Sequence, residues 1–291
     1  MKTSIRPLSG CLKTLVRHRE VCACVAIIMA IAALMSPPVD AASVAVRFPE
    51  GVTHGFLLVR SLAGETIGQG EMTQVVKEGD LVESRLAFRF KDGSLHDEKV
   101  VFSQQQVFTM IRYHLVQQGP SFPEQLDISV DRDTGDYKIR SKARKDAQEQ
   151  VLTGKFALPK DAYNGMIVTM LLNLPKGASE TVSLIAFTPG PEVIKLDLRL
   201  MEERAVQVGD LSRTARHYSF KPDMGMIKKF IGKAIGKLPA HFHYDCWVLA
   251  DEVPSFVQFE GPLQLMGPIL RIELVSPRLS ANPEAEPIPS P

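Results

Sequence analysis

From Ser43 to Ser141 hydrophobic and polar residues alternate mainly with period two, the spacing of strands that bury one face. Thr66, Gly68, Gly70 and Met72 share one face of "GETIGQGEMTQVV", and the glycines predict a flat or closely approached strand. In "DLVESRLAFRFKDGSLHDEKVVFS" Leu86, Phe88 and Phe90 alternate with Ala87, Arg89 and Lys91. Asp92-Gly93 follows, a pair that tolerates the positive φ of a hairpin turn. "LDISVDRDTGDYKIRS" predicts another hairpin, turning at Asp133-Thr134-Gly135 with Ile128 and Val130 set against Tyr137 and Ile139. "VFTMIRYHLVQQG" reads as a strand with Phe108, Met110, Arg112 and His114 on one face. Val107, Thr109, Ile111, Tyr113 and Leu115 occupy the other, which reads as core.

The period changes at "LPKDAYNGMIVTMLLNLPKG", where Met166, Met170 and Leu174 recur four apart until Pro175. This predicts a helix near 161–174 with Asp161 as its cap. Its run from Met166 to Leu174 is apolar nearly all round, so the helix should be buried, with its methionines as core filler. Strands resume in "ETVSLIAFT", "EVIKLDLRLMEE", "RTARHYSFK", "FHYDCWVLA", "SFVQFEG" and "ILRIELVS". There is no βαβ rhythm, which argues against a doubly wound nucleotide-binding fold. The expected class is mainly β with helical inserts, a curved antiparallel sheet or half-barrel around an apolar core or cavity, capped by short helices. One domain over 42–276 is preferred to two small domains joined at the central helix.

A second helix is expected over 223–238, in "MIKKFIGKAIGKLPAHFHYDC" and the residues just before it. Met224, Ile227, Phe230, Ile231, Ala234, Ile235 and Leu238 lie three and four apart, while Lys228, Lys229, Lys233 and Lys237 fill the rest of the wheel. Such a helix can lie on an anionic bilayer, or close a cavity while its lysines solvate the outer face. Gly225, Gly232 and Gly236 suit close packing or a lid. The candidate ligand or membrane contacts are Ile227, Phe230, Ile231 and Ile235, with Lys228, Lys229 and Lys233. His241, His243 and Asp245 would share a strand face and could meet a metal, but the spacing is that of ordinary strand residues and no metal is assigned. Cys246 beside Trp247 reads as a small buried hydrophobe.

Charge and cysteine usage add the compartment. Arg6, Lys13, Arg17 and Arg19 precede the apolar run Val21–Leu34, then Pro37-Pro38 and a small-residue cleavage pattern ending at Ala41. Residues 1–41 therefore read as a signal peptide, with an inner-membrane anchor over 21–34 as the alternative. Cleavage removes five basic and two acidic residues, leaving 29 Lys/Arg against 31 Asp/Glu, and Cys246 as the remaining cysteine. That balance gives no support to nucleic-acid binding and permits no intrachain disulfide. Residues 277–291, rich in proline, read as a disordered tail.

No G-x-S-x-G, H-E-x-x-H, Walker or C-x-x-C motif is present, so no catalytic residue or cofactor is assigned. His96, Asp97 and Glu98 in "LHDEKV" read as a solvated edge beside a turn. The leader, the early hairpins and "HYDCWVLADEVPSFVQFEGPL" with "GPILRIELVSP" resemble a family of exported bacterial proteins with a domain of unknown function. The element order also resembles periplasmic lipoprotein-carrier-like β domains. That resemblance implies an apolar cavity beneath helices, with 223–238 as its lid or mouth and a lipid or hydrophobic small molecule as ligand. The expected function is an exported periplasmic protein binding such a ligand without catalysis. A non-enzymatic envelope scaffold is the alternative, and an exported hydrolase the third reading.

Overall fold

Asp92-Gly93 and Asp133-Thr134-Gly135 each turn the chain between antiparallel strands, with Gly93 at φ 85° and Gly135 at φ 71°. Only glycine holds those values without steric cost. The computed structural model describes residues 43–143, 148–187, 189–208, 211–222, 244–264 and 267–275, all within the unit Ala41–Pro291. Eight strands run up and down first: β1 (Thr53–Ser61), β2 (Thr66–Lys77), β3 (Leu81–Phe90), β4 (Leu95–Gln104), β5 (Phe108–Gln118), β6 (Glu124–Asp131), β7 (Asp136–Ala143) and β8 (Gln150–Lys155). A connector carrying α1 (Ile167–Asn173) follows. The chain then forms β9 (Ser179–Phe187), β10 (Pro191–Val208), β11 (Leu211–Pro222), β12 (Tyr244–Leu249), β13 (Phe256–Gly261) and β14 (Leu270–Val275).

All fourteen strands join one antiparallel sheet in the order β8-β7-β6-β5-β4-β3-β2-β1-β14-β13-β12-β11-β10-β9. The first and last strands thus pair in mid-sheet, Val59 opposite Ile272, while β8 and β9 are the two edges. Laid flat, such a sheet would be roughly 60 Å wide at the usual strand spacing. Yet Tyr113 on β5 and Phe187 on β9, ten strands apart along that order, stack with ring centroids 6.3 Å apart. A single buried cluster also joins Phe102 and Phe108 to Tyr163, Met166, Met170, Val182 and Leu198. The sheet therefore curls into an open roll with α1 on its concave side.

The predicted central helix is buried as expected, but it is shorter at its start. Its N-cap is Met166, with no side-chain capping bond. Asp161 instead accepts hydrogen bonds from Ser183 Oγ at 2.6 Å and Lys195 Nζ at 2.9 Å. Residues 161–164 run along the β9 edge: Ser183 N–H donates to the Asp161 carbonyl, Tyr163 N–H donates to Ser183, and the Asn164 amide bonds both backbone groups of Ile185. Pairing with the sheet takes these residues from the helix and satisfies an edge that would otherwise be open. Seven residues do not sustain a helix by propensity. Burial of Met170 and Leu171, and of Leu174 just beyond, holds it, and Asn173 Oδ1 accepts from the N–H groups of Arg47 and Phe48 at 2.8 and 2.7 Å.

A second correction concerns β5. Phe108 and Met110 are core, followed by Tyr113 and Gln117, so neither predicted face is buried throughout. The register steps from Val101–Arg112 to Phe102–Met110 and leaves Ile111 unmatched. That bulge exchanges the two faces of the strand. Arg132 anchors it from β6 and its turn: its N–H donates to the Ile111 carbonyl, and its guanidinium donates to Met110, Leu158 and Pro159 carbonyls. The close approach predicted at Gly68 and Gly70 is present. A Cβ on Gly70 would overlap the Phe88 ring, and one on Gly68 would lie 2.9 Å from the Arg89 carbonyl oxygen.

Candidate functional site

Ile227, Phe230, Ile231, Ile235, Lys228, Lys229 and Lys233 lie outside the described residues, as do His241 and His243. Asp245 is described, on the outer face of β12, where its Oδ1 is 2.8 Å from His217 Nε2. The His217 ring in turn stacks on Trp247 at 4.5 Å, and the Arg204 guanidinium lies over the same indole at 4.9 Å. Among the described residues no group of three His, Cys, Asp or Glu side chains is arranged to hold a metal. Cys246 is fully buried, as expected of a small hydrophobe, and burial pushes its thiol well above the ordinary range.

The "LHDEKV" reading needs correction, because these residues form the interior strand β4. His96 and Glu98 project with Val100 and Phe102 toward the concave side, while Asp97 projects outward. Gln117 Nε2 lies 3.0 Å from His96 Nδ1 and 3.1 Å from the Leu263 carbonyl oxygen, so this NH2 group donates to both. The proton of the neutral imidazole is then on Nε2, which has no partner between the Phe88 and Phe122 rings. Burial lowers this histidine to a pKa of about 4. Glu98 accepts from Tyr113 Oη at 2.8 Å, and burial raises its carboxyl above the usual range.

On the opposite, outer face a cleft of about 820 Å³ spans β3 to β8. Arg112, which follows the unmatched Ile111 of the β5 bulge, lines it. Sheet register sets one row across it: Arg85, Lys99, His114, Ser129, Lys138 and Thr153 stand opposite one another on six successive strands. The neighbouring row runs Glu83, Val101, Arg112, Asp131. Like charges placed directly opposite repel, and only part of this row is neutralised. Arg85 is bound by both oxygens of Asp97, at 2.8 and 2.6 Å, and this holds the Asp97 carboxyl below its ordinary range. His114 Nε2 is 3.0 Å from Asp127, and Lys155 is 2.8 Å from Asp136. Among the described residues Lys99, Arg112 and Lys138 have no carboxylate at ion-pair distance. Val101 is the apolar side chain on this face; Val130 and Tyr137 stand opposite Tyr113 and turn to the buried side.

Lys99, Arg112 and Lys138 thus face the cleft without an ion-pair partner, beside Val101 and the acidic Glu83 and Asp131, an arrangement suited to the anionic group of an amphiphile. Sequence reading did not find it, because the row exists only once five strand pairs are in register. The parity of Lys99 with Asp97 and of Arg112 with His114 was its one visible trace. Neither protein-family models nor curated proteins nor solved structures yield a match to this chain.

Proposed function

We propose that the chain is an exported, non-catalytic binding protein of the cell envelope that holds a lipid-like, amphiphilic ligand. The observation that carries this is the outer-face cleft. Its 820 Å³ falls within the range of small-molecule sites, roughly 300–1,000 Å³, and Lys99, Arg112 and Lys138 line it without ion-pair partners. The concave side is occupied by α1 and buried side chains, so the ligand is placed on the opposite face from the one the carrier resemblance implied. Native mass spectrometry of the protein from its own host's envelope, followed by denaturing release, tests this. A stoichiometric amphiphile is expected, and a clean apo mass counts against it.

Peripheral contact with an anionic membrane through the basic stretch 223–238 belongs to the same proposal. Replacing Lys228, Lys229 and Lys233 by glutamate should weaken binding to phosphatidylglycerol vesicles while thermal unfolding stays unchanged; unaltered vesicle binding removes this contact. One observation favours a scaffold instead. β8 is a sheet edge carrying exposed Val151 and Leu152, whereas the β9 edge is covered by the chain's own connector.

A further inference from the structure

We infer that the outer-face cleft recognises a ligand with two separate anionic groups of the phosphate or carboxylate class, one held by Lys99 with Arg112 and the other by Lys138. This deepens the binding reading and rests on it. Lys99 stands on β4 between Arg85 and His114, and each of those neighbours already has an aspartate of its own. Arg112 is one residue along β5 from the bulge, in the row next to Lys99. Lys138 stands on β7, beyond Ser129 and before Thr153, both uncharged.

Three strand spacings separate Lys99 from Lys138, roughly 14 Å. One phosphate, with its oxygens only a few Å apart, cannot span them. Between the two cationic positions stand His114, already paired with Asp127, and the Ser129 hydroxyl, so no further cation without an ion-pair partner lies in the row between them. Acidic Glu83 and Asp131 lie in the adjacent row beside Arg112, and Asp136 is already paired with Lys155. Charge placed toward them is repelled, so an anion meets Arg112 on the side of its guanidinium nearer Lys99. Repulsion along the basic row in the empty protein is relieved when anions occupy it, so affinity falls with added salt.

The test titrates the envelope-purified protein, stripped of any bound molecule, with decanediol bisphosphate, decyl phosphate and ethanediol bisphosphate. The long bisphosphate is expected to bind about tenfold or more tightly than either comparison compound, because its second group binds intramolecularly. Lys99→Glu and Lys138→Glu should each reduce it to the level of decyl phosphate with circular dichroism unchanged, and Lys176→Glu, remote from the cleft, should not. Equal affinity for decyl phosphate and the long bisphosphate, both lost in Lys99→Glu, overturns the two-group inference and leaves the cleft as a binding site. Absence of binding to all three compounds overturns the inference, and together with a clean apo mass it overturns the binding reading as well. Binding only to phosphatidylglycerol vesicles identifies a bilayer contact and also overturns it.

Discussion

Acidification from pH 6.5 to pH 4 is expected to remove roughly 3 kcal/mol of folding stability through His96 alone. In the unfolded chain this imidazole takes up a proton near pH 6.5, whereas in the folded protein burial delays protonation to about pH 4. The unfolded state therefore binds more protons throughout that window, and stability rises with pH. It is fully present above 6.5 and is lost as pH falls through the folded value. No carboxylate bonds the ring; its partners are the Gln117 amide and aromatic rings. Glu98 acts with the opposite sign, since its raised carboxyl favours the folded state below its ordinary pKa and costs stability as pH rises through the folded value. Urea unfolding at stepped pH, on the wild type and His96→Leu, separates the two groups. The difference between the proteins should change by about 3 kcal/mol over the window. Parallel curves would mean that His96 is solvated.

Tyr163→Ala should cost about 3–5 kcal/mol, a large share of a typical domain's stability. Tyr163 is fully buried where the connector enters the roll. Its hydroxyl accepts from Val44 N–H at 3.0 Å and donates to the Phe108 carbonyl at 3.3 Å. One side chain thus ties the start of the described chain, the core of β5 and the strip covering β9. Truncation removes the ring and leaves those backbone groups unsatisfied, while Tyr163→Phe keeps the packing and should cost only about 1–2 kcal/mol. The two variants are compared by chemical denaturation. A cost below about 1 kcal/mol for the alanine variant would show that the roll does not close around the connector.

What could be read in advance was local. Asp92-Gly93 and Asp133-Thr134-Gly135 specify their own hairpins, and the pairs Ile128–Ile139 and Val130–Tyr137 follow from the turn. Gly68 and Gly70 announced a close approach, although not that Phe88 makes it. Three features depended on distant partners. Ile111 bulges where Arg132 anchors the backbone, and residues 161–164 abandon a helical pattern to pair with β9. His96 and Glu98 go inward because β4 is an interior strand whose Val100 and Phe102 fix its parity. The candidate site belongs to the same class, since Lys99 and Lys138 are 39 positions apart in sequence and meet one cleft only through successive registers.

A crystal structure of the protein with its natural ligand, purified from the host envelope without stripping, would test the placement of the binding site most directly. The outer-face assignment predicts ligand density over β4 to β7, with anionic groups against Lys99, Arg112 and Lys138. Density inside the roll, displacing α1 from Met170 and its neighbours, would contradict it.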